Sequence, residues 1–257
     1  MASRIVLICA VAALAMYSES TQAGDAAARR VIGFSPDGIY FAFEQFTMLY
    51  EDEAAFSEFV VIDTRGDRFV PGTPVRVMVR GDEGLDEKKA REDAQAKVGP
   101  ILQRLKIGEA GIRVEGKPSM DLDEIGIYQM DTKPLAKSLS FALPDGRKAR
   151  LAVTDKPSGA AFCDGYGGRG VKGKAKAAGL KLALDLDGAA QTVLQDDKAL
   201  PASRRCAAEY GIAEAYLKVA PDGSTALAAL VEYADNHDYH AGANRRFMAV
   251  TRRLPKL

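Results

Sequence analysis

Short β-prone runs, each closed off by Gly, Pro, Asn or Asp, recur along most of the chain, and that rhythm constrains the fold more than any other feature. Ile39–Phe43 follows a Pro-Asp-Gly turn and is rich in aromatic residues. Phe59–Ile62 and Phe69–Val70 flank the polar turn Thr64–Asp67, which predicts a hairpin. Val75–Val79 places valine at alternate positions, the period of two that a half-buried strand requires. Further candidate strands lie at 125–130, 138–143, 149–154, 180–186, 190–195, 213–219, 225–233 and 246–251. Many short strands at near-regular spacing predict a mainly β, antiparallel architecture, either a sandwich or propeller-like sheets.

Pro-Asp-Gly itself occurs three times, at 36–38, 144–146 and 221–223. Proline sets φ at the corner, aspartate bonds its own backbone and glycine takes positive φ, so each triplet predicts a tight turn. The spacings of 108 and 77 residues do not match the period of about 40–50 residues that propeller blades keep. The triplets therefore establish turns and no repeat.

One segment breaks the rhythm. Residues 85–106 place Ala94, Val98, Ile101 and Leu105 at helical spacing with charges on the opposite face. This predicts an amphipathic helix packed on a sheet, with Asp82 and Asp86 as candidate N-caps. Pro100 should end or kink it near Val98, because the ring clashes with the preceding turn.

The amino terminus has the layout of an export signal. Arg4 precedes the apolar run Ile5–Met16, and the polar stretch that follows ends in Thr21-Gln22-Ala23, with small residues where a cut after Ala23 requires them. The run of 12 residues is short of the ~20 that a spanning helix needs, so no stable membrane span is expected after cleavage. The expected organisation is a leader at 1–23 and a single mainly β domain at 24–257, with the helical insertion near 85–106. The expected location is periplasmic or secreted.

Thirty-five Lys plus Arg balance 35 Asp plus Glu, so no global field steers the chain onto nucleic acid. Cysteine usage agrees with export. Of three cysteines, Cys9 leaves with the leader, and Cys163 and Cys206 remain. In an oxidising compartment such a pair is by default a disulfide.

Two stretches carry candidate sites. Gly168, Gly173 and Lys174 fit the spacing of a phosphate-gripping P-loop, and Gly168, Gly170 and Gly173 spell a dinucleotide fingerprint. Ala175 stands where the loop needs a hydroxyl for magnesium, and no strand is predicted just before it, so no nucleotide is expected. The same stretch is basic, and Arg169, Lys172, Lys174 and Lys176 form a candidate anion-binding loop. The chain's two histidines, His237 and His240, flank Asp238 in an H-x-x-H cluster that suits a divalent ion in a turn. Apart from that ion, no cofactor is expected.

Phe34–Phe43 resembles the strand–turn–strand signature of TolB-type β-propeller repeats. Together with Val61-Ile62-Asp63, Phe69–Val75 and Arg245–Val250, it more closely resembles DUF2259, a bacterial family of predicted secreted proteins of unknown function. That resemblance implies export and β structure, and it brings no catalytic residues with it. The expectation for function is an exported, non-catalytic binding protein of the cell envelope, acting on another envelope protein or a surface polymer. The rival reading is a metal-dependent or hydrolytic enzyme built on the His237/His240 loop.

Overall fold

Side chains along a strand alternate between its two faces, so a strand covered on both sides must be apolar at nearly every position. Thr225–Ala234 reads TALAALVEYA, and the computed structural model places it near the middle of the molecule, between two other sheets. The structure describes residues 23–49, 52–80, 86–129, 133–163, 177–238 and 242–256, with backbone alone at 23, 126–129, 162, 236–238 and 242–243.

The strands run β1 (Ala23–Ala26), β2 (Ala28–Phe34), β3 (Tyr40–Leu49), β4 (Ala54–Asp63), β5 (Arg68–Phe69) and β6 (Val75–Arg80). The helix α1 (Glu87–Arg104) follows, then β7 (Ile112–Glu115), β8 (Gly126–Gln129), β9 (Ser138–Ala142) and β10 (Lys148–Ser158). The last five strands are β11 (Ala177–Leu186), β12 (Thr192–Asp196), β13 (Ala207–Val219), β14 (Thr225–Asp238) and β15 (Gly242–Leu254).

They form three sheets. A central sheet has the order β7-β13-β14-β15-β1-β8, a far sheet β12-β11-β10-β9, and a helix-side sheet β2-β3-β4-β5 with β6 also paired to β4. All pairings are antiparallel except β1 with β15. The mainly β, antiparallel class read from the sequence is the class observed.

The alternation of β14 explains the stacking. Ala226, Ala228 and Leu230 pack with Phe34, Phe41, Phe43, Val60 and Ile62 of the helix-side sheet. Leu227, Ala229 and Val231 pack with Leu151, Leu180, Leu182 and Leu184 of the far sheet. Alanine on the central strand makes room for the large rings opposite: Phe41 is fully buried, with ring centroids at 4.8 Å from Phe34 and 6.2 Å from Tyr216. Burying one such ring is worth about 1.5–3 kcal/mol.

The second face of the helix-side sheet carries α1. Ala42, Phe59, Val61 and Val77 meet Ala94, Val98 and Leu102. Asp86 caps the helix by accepting the Lys89 N–H at 2.7 Å. Asp82, the other candidate cap, lies outside the described residues. The helix does not end near Val98 as expected: it continues through Pro100 to Arg104. Pro100 is exposed, so its ring projects from the solvent side. Val98 and Leu102, buried on the sheet side, hold the following turn in place against the roughly 3 kcal/mol that an interior proline costs.

The three Pro-Asp-Gly triplets fold as their chemistry requires. Asp37, Asp145 and Asp222 each accept the N–H two residues on, and Gly38, Gly146 and Gly223 take positive φ. A disulfide joins Cys163, just after β10, to Cys206, just before β13, and so ties the far sheet to the central one. Among the described residues no helix is long and apolar enough to cross a membrane.

Candidate functional site

Arg29 and Arg30 are neighbours on β2, so their side chains leave on opposite faces of that strand. Because β2 is the outermost strand of the helix-side sheet, the two faces open onto one edge. Each arginine meets a glutamate that is wholly buried. A buried carboxylate costs several kcal/mol unless it is paired and hydrogen-bonded, and each here is held by two guanidinium groups.

On the face toward the central sheet, Glu214 of β13 accepts from Arg29 Nε at 2.5 Å and Nη2 at 3.0 Å, and from Arg113 Nε at 2.8 Å. Arg113 sits on β7 directly opposite Tyr216. Arg29 reaches a second carboxylate, the exposed Asp123, through Nη1 at 2.7 Å. Burial alone would lower the Arg113 guanidinium, but the Glu214 charge and its hydrogen bond outweigh that and hold it above the ordinary arginine range. Burial, reinforced by the Glu214 charge, pushes the Tyr216 phenol well up, so it stays a neutral hydroxyl.

On the face toward α1, Glu44 of β3 is ion-paired with Arg30 Nε at 2.8 Å and accepts from Arg91 Nε at 3.0 Å and Nη2 at 3.2 Å, and from Ser57 Oγ at 2.9 Å. Arg91 also donates to Glu87 at 3.0 Å and lies 3.7 Å over the Phe46 ring. Its burial works to lower its pKa, and the bonds and charges of Glu44 and Glu87 more than reverse the effect.

Between the two clusters lies a cleft of about 480 Å³, lined by Arg29, Arg30, Arg91 and Arg113 with Val31, Phe46 and Tyr216 among its other walls. Arg91 and Arg29 spend both ends of their forks on carboxylates. Arg113 and Arg30 do not. Arg113 is 46% exposed and bonds Glu214 through Nε, while its two terminal nitrogens have no partner among the described residues. Arg30 is 47% exposed and also donates to Gln95. A carboxylate or phosphate oxygen suits those N–H groups, which are aimed and charged, and which a guanidinium presents as a planar fork.

A second concavity, of about 340 Å³, lies between the end of β10 and residues 197–200. Its ions are already paired. Lys156 bonds Asp196 and the Asp197 carbonyl, and Asp197 bonds Arg204 and the Leu180 N–H. It offers an incoming group less than the arginine cleft does.

Of the candidate site residues singled out from the sequence, only the two cysteines have described side chains. Cys163 and Cys206 form the disulfide. Arg169, Lys172, Lys174 and Lys176, with the whole glycine-rich stretch, lie outside the described residues, as does His240. His237 and Asp238 are at the end of β14, where Asp238 is in register with Gly242, and their side chains also lie outside the described set. Among the described residues no cluster of three His, Cys, Asp or Glu could hold a metal ion. The arginine cleft is the site sequence reasoning missed. Its one local signal is the dipeptide Arg29-Arg30 on an extended segment, which puts a cation on each face of a strand.

No curated protein and no solved structure matches the chain. A family model described as "Predicted secreted protein (DUF2259)" matches residues 42–253, a span that takes in Glu44, Arg91, Arg113 and Glu214 and begins after Arg29 and Arg30. The disulfide agrees with that description, and the match covers most of the sequence: the chain belongs to the DUF2259 family of predicted secreted proteins.

Proposed function

We propose that this protein is an exported, non-catalytic binding protein, a single mainly β domain over residues 24–257, that takes an anionic group of its ligand into the arginine cleft. The observation that carries this reading is Arg113. Its guanidinium is fixed at one end by a buried glutamate, half-exposed at the other, and set in a concave site beside Arg29 and Arg30. The size of the cleft falls within the roughly 300–1,000 Å³ typical of ligand sites. An envelope protein or surface polymer bearing carboxylates or phosphates is the partner the reading favours.

Net attraction is not the basis of this recognition. Arg29, Arg30, Arg91 and Arg113 are matched in number by Glu44, Glu87, Asp123 and Glu214. Selectivity comes instead from directed N–H groups held in a fixed plane. Asp123 is 72% exposed and holds Arg29 Nη1, so it occupies a position that a ligand carboxylate would contest.

Calorimetric titration with glutarate and with inorganic phosphate, at low salt, tests this. Wild type binds; Arg113→Ala weakens binding about tenfold, the loss of one charge-assisted pair. Arg113→Lys does not restore it, because an ammonium is a point charge without the fork. Asp123→Asn tightens binding by removing the competitor. Equal heats from wild type and Arg113→Ala, or no heat from either, would overturn the proposal.

A further inference from the structure

We propose that the ligand of the arginine cleft is an extended polypeptide segment carrying adjacent acidic residues, which adds as a short strand to the outer edge of β2. This rests on the anion-binding reading above and names its ligand class.

The edge itself points to a strand. The Arg29 N–H faces away from β3 and donates to the Leu122 carbonyl at 2.8 Å. Alternation along an antiparallel strand puts the N–H and C=O of Val31 on the same outer side. Val31 is paired in register with Phe43 of β3, and it lines the cleft. Beyond it the edge is closed again, where Phe34 exchanges backbone bonds with Glu109. Between these two stoppers lie residues 30–33, with a β-bulge between Val31 and Gly33 and with Gly33 itself against the Glu109 backbone, which leaves an opening of about three residues, or ~10 Å at the rise of a strand. Among the described residues no backbone group fills it.

The arginines fit the same guest. Consecutive residues of an added strand point to opposite faces. Arg113 stands on the central-sheet side of β2 and Arg30 on the helix side. Two neighbouring acidic residues, centred beside Val31, would meet one guanidinium each while their main chain pairs with β2. Backbone bonds then supply affinity and the two forks supply specificity, the division of labour seen whenever a peptide extends a sheet. An open edge is also an aggregation hazard, and charged side chains beside it are one of the ways native sheets blunt it.

The test uses the purified protein and three probes, read by fluorescence anisotropy or competition. The first is a blocked hexapeptide with Glu-Asp between valines. The second is the same peptide N-methylated at alternate amides, which keeps its charges and loses its main-chain donors. The third is glutarate. The expected result is binding of the first probe, about tenfold weaker binding of the second because its bond to the Val31 carbonyl is lost and its methyl groups hold the chain off the edge, and slowed hydrogen exchange at the Val31 amide. Arg30→Ala and Arg113→Ala should each weaken the first probe several-fold. Because the probes act on the unmutated protein, the result stands even if a variant fails to fold. Equal affinity for both peptides, or binding of glutarate without the peptide, overturns strand addition and leaves the anion site standing. Binding of none of the three overturns both.

Discussion

Replacing Glu214 with glutamine should destabilise the fold and at the same time improve the cleft as an anion receptor. In the native protein the carboxylate accepts three guanidinium bonds, at 2.5, 2.8 and 3.0 Å, while itself wholly buried. Glutamine is isosteric but keeps one acceptor; its amide turns N–H groups toward N–H groups. At least one charge-assisted bond is lost, worth about 1.5–3 kcal/mol, and Arg29, only 6% exposed, keeps Asp123 as its one counter-charge among the described residues. Removing one partner of a buried pair typically costs about 3–5 kcal/mol. The lower end applies here, because Arg113 can turn to water, so the expected loss is about 3 kcal/mol. For a chain of this size that corresponds to a fall in Tm of roughly 6–12 °C. Urea unfolding followed by circular dichroism is the assay, since urea, unlike guanidinium, leaves ion pairs unscreened. The midpoint should drop with an unchanged m-value. Glutarate should recover part of the loss, by about 2.7 kcal/mol at a hundred times its Kd, and should bind the variant more tightly than wild type. A loss below about 1 kcal/mol, the level of an exposed ion pair, or glutarate that stabilises both proteins equally, would refute the reasoning.

Three further outcomes follow from the same structure. Replacing Cys163 and Cys206 with serine should cost about 4 kcal/mol for a sequence separation of 43 residues, read from the shift in urea midpoint; no shift would show that the bridge adds nothing. Gly116→Ala would press a methyl into the Ala213 carbonyl and lift β7 off β13, costing about 1–3 kcal/mol and, through the displacement of Arg113, glutarate affinity as well; unchanged stability and affinity would contradict the packing described. The third concerns pH. Burial pushes Glu232 up, against the opposing hydrogen bonds from Ser119. Its native form therefore keeps a proton that the unfolded chain releases, and its contribution to stability falls as pH rises from the ordinary glutamate range toward its raised value. Glu232→Gln should abolish that fall, so the variant gains on wild type with rising pH in mild acid; a gain with falling pH instead would reverse the assignment.

What the sequence discloses is what is local. A strand with one buried face, such as Val75–Val79, or with two, such as 225–233, shows its burial in its own residues, and both were legible. The Pro-Asp-Gly corners were legible because three side chains settle the turn without outside help. The pairing of Cys163 with Cys206 was legible by elimination, with Cys9 assigned to the expected leader. β2 and β7 were not read, because an edge strand needs no clean alternation: Ile112–Glu115 is half charged, and β2 carries Arg29 and Arg30 right after its first residue. The helix ran past Pro100 for a reason that lies in the sheet beneath it, which the helix's own residues do not contain. The cleft is the extreme case. Arg29 and Glu214 are 185 positions apart, and Arg113 lies 101 from the same carboxylate. Nothing short of the folded topology brings them together.

In the proposed mode of binding, the half-exposed forks of Arg30 and Arg113 receive the ligand's acid groups. Arginine side-chain nitrogen NMR, titrated with the Glu-Asp hexapeptide, observes those groups themselves. The account predicts that the Arg30 and Arg113 signals shift together along one saturating curve, while Arg204, sealed against Asp197, stays still. Binding that leaves Arg113 unmoved, or drifts every exposed arginine alike, would contradict it.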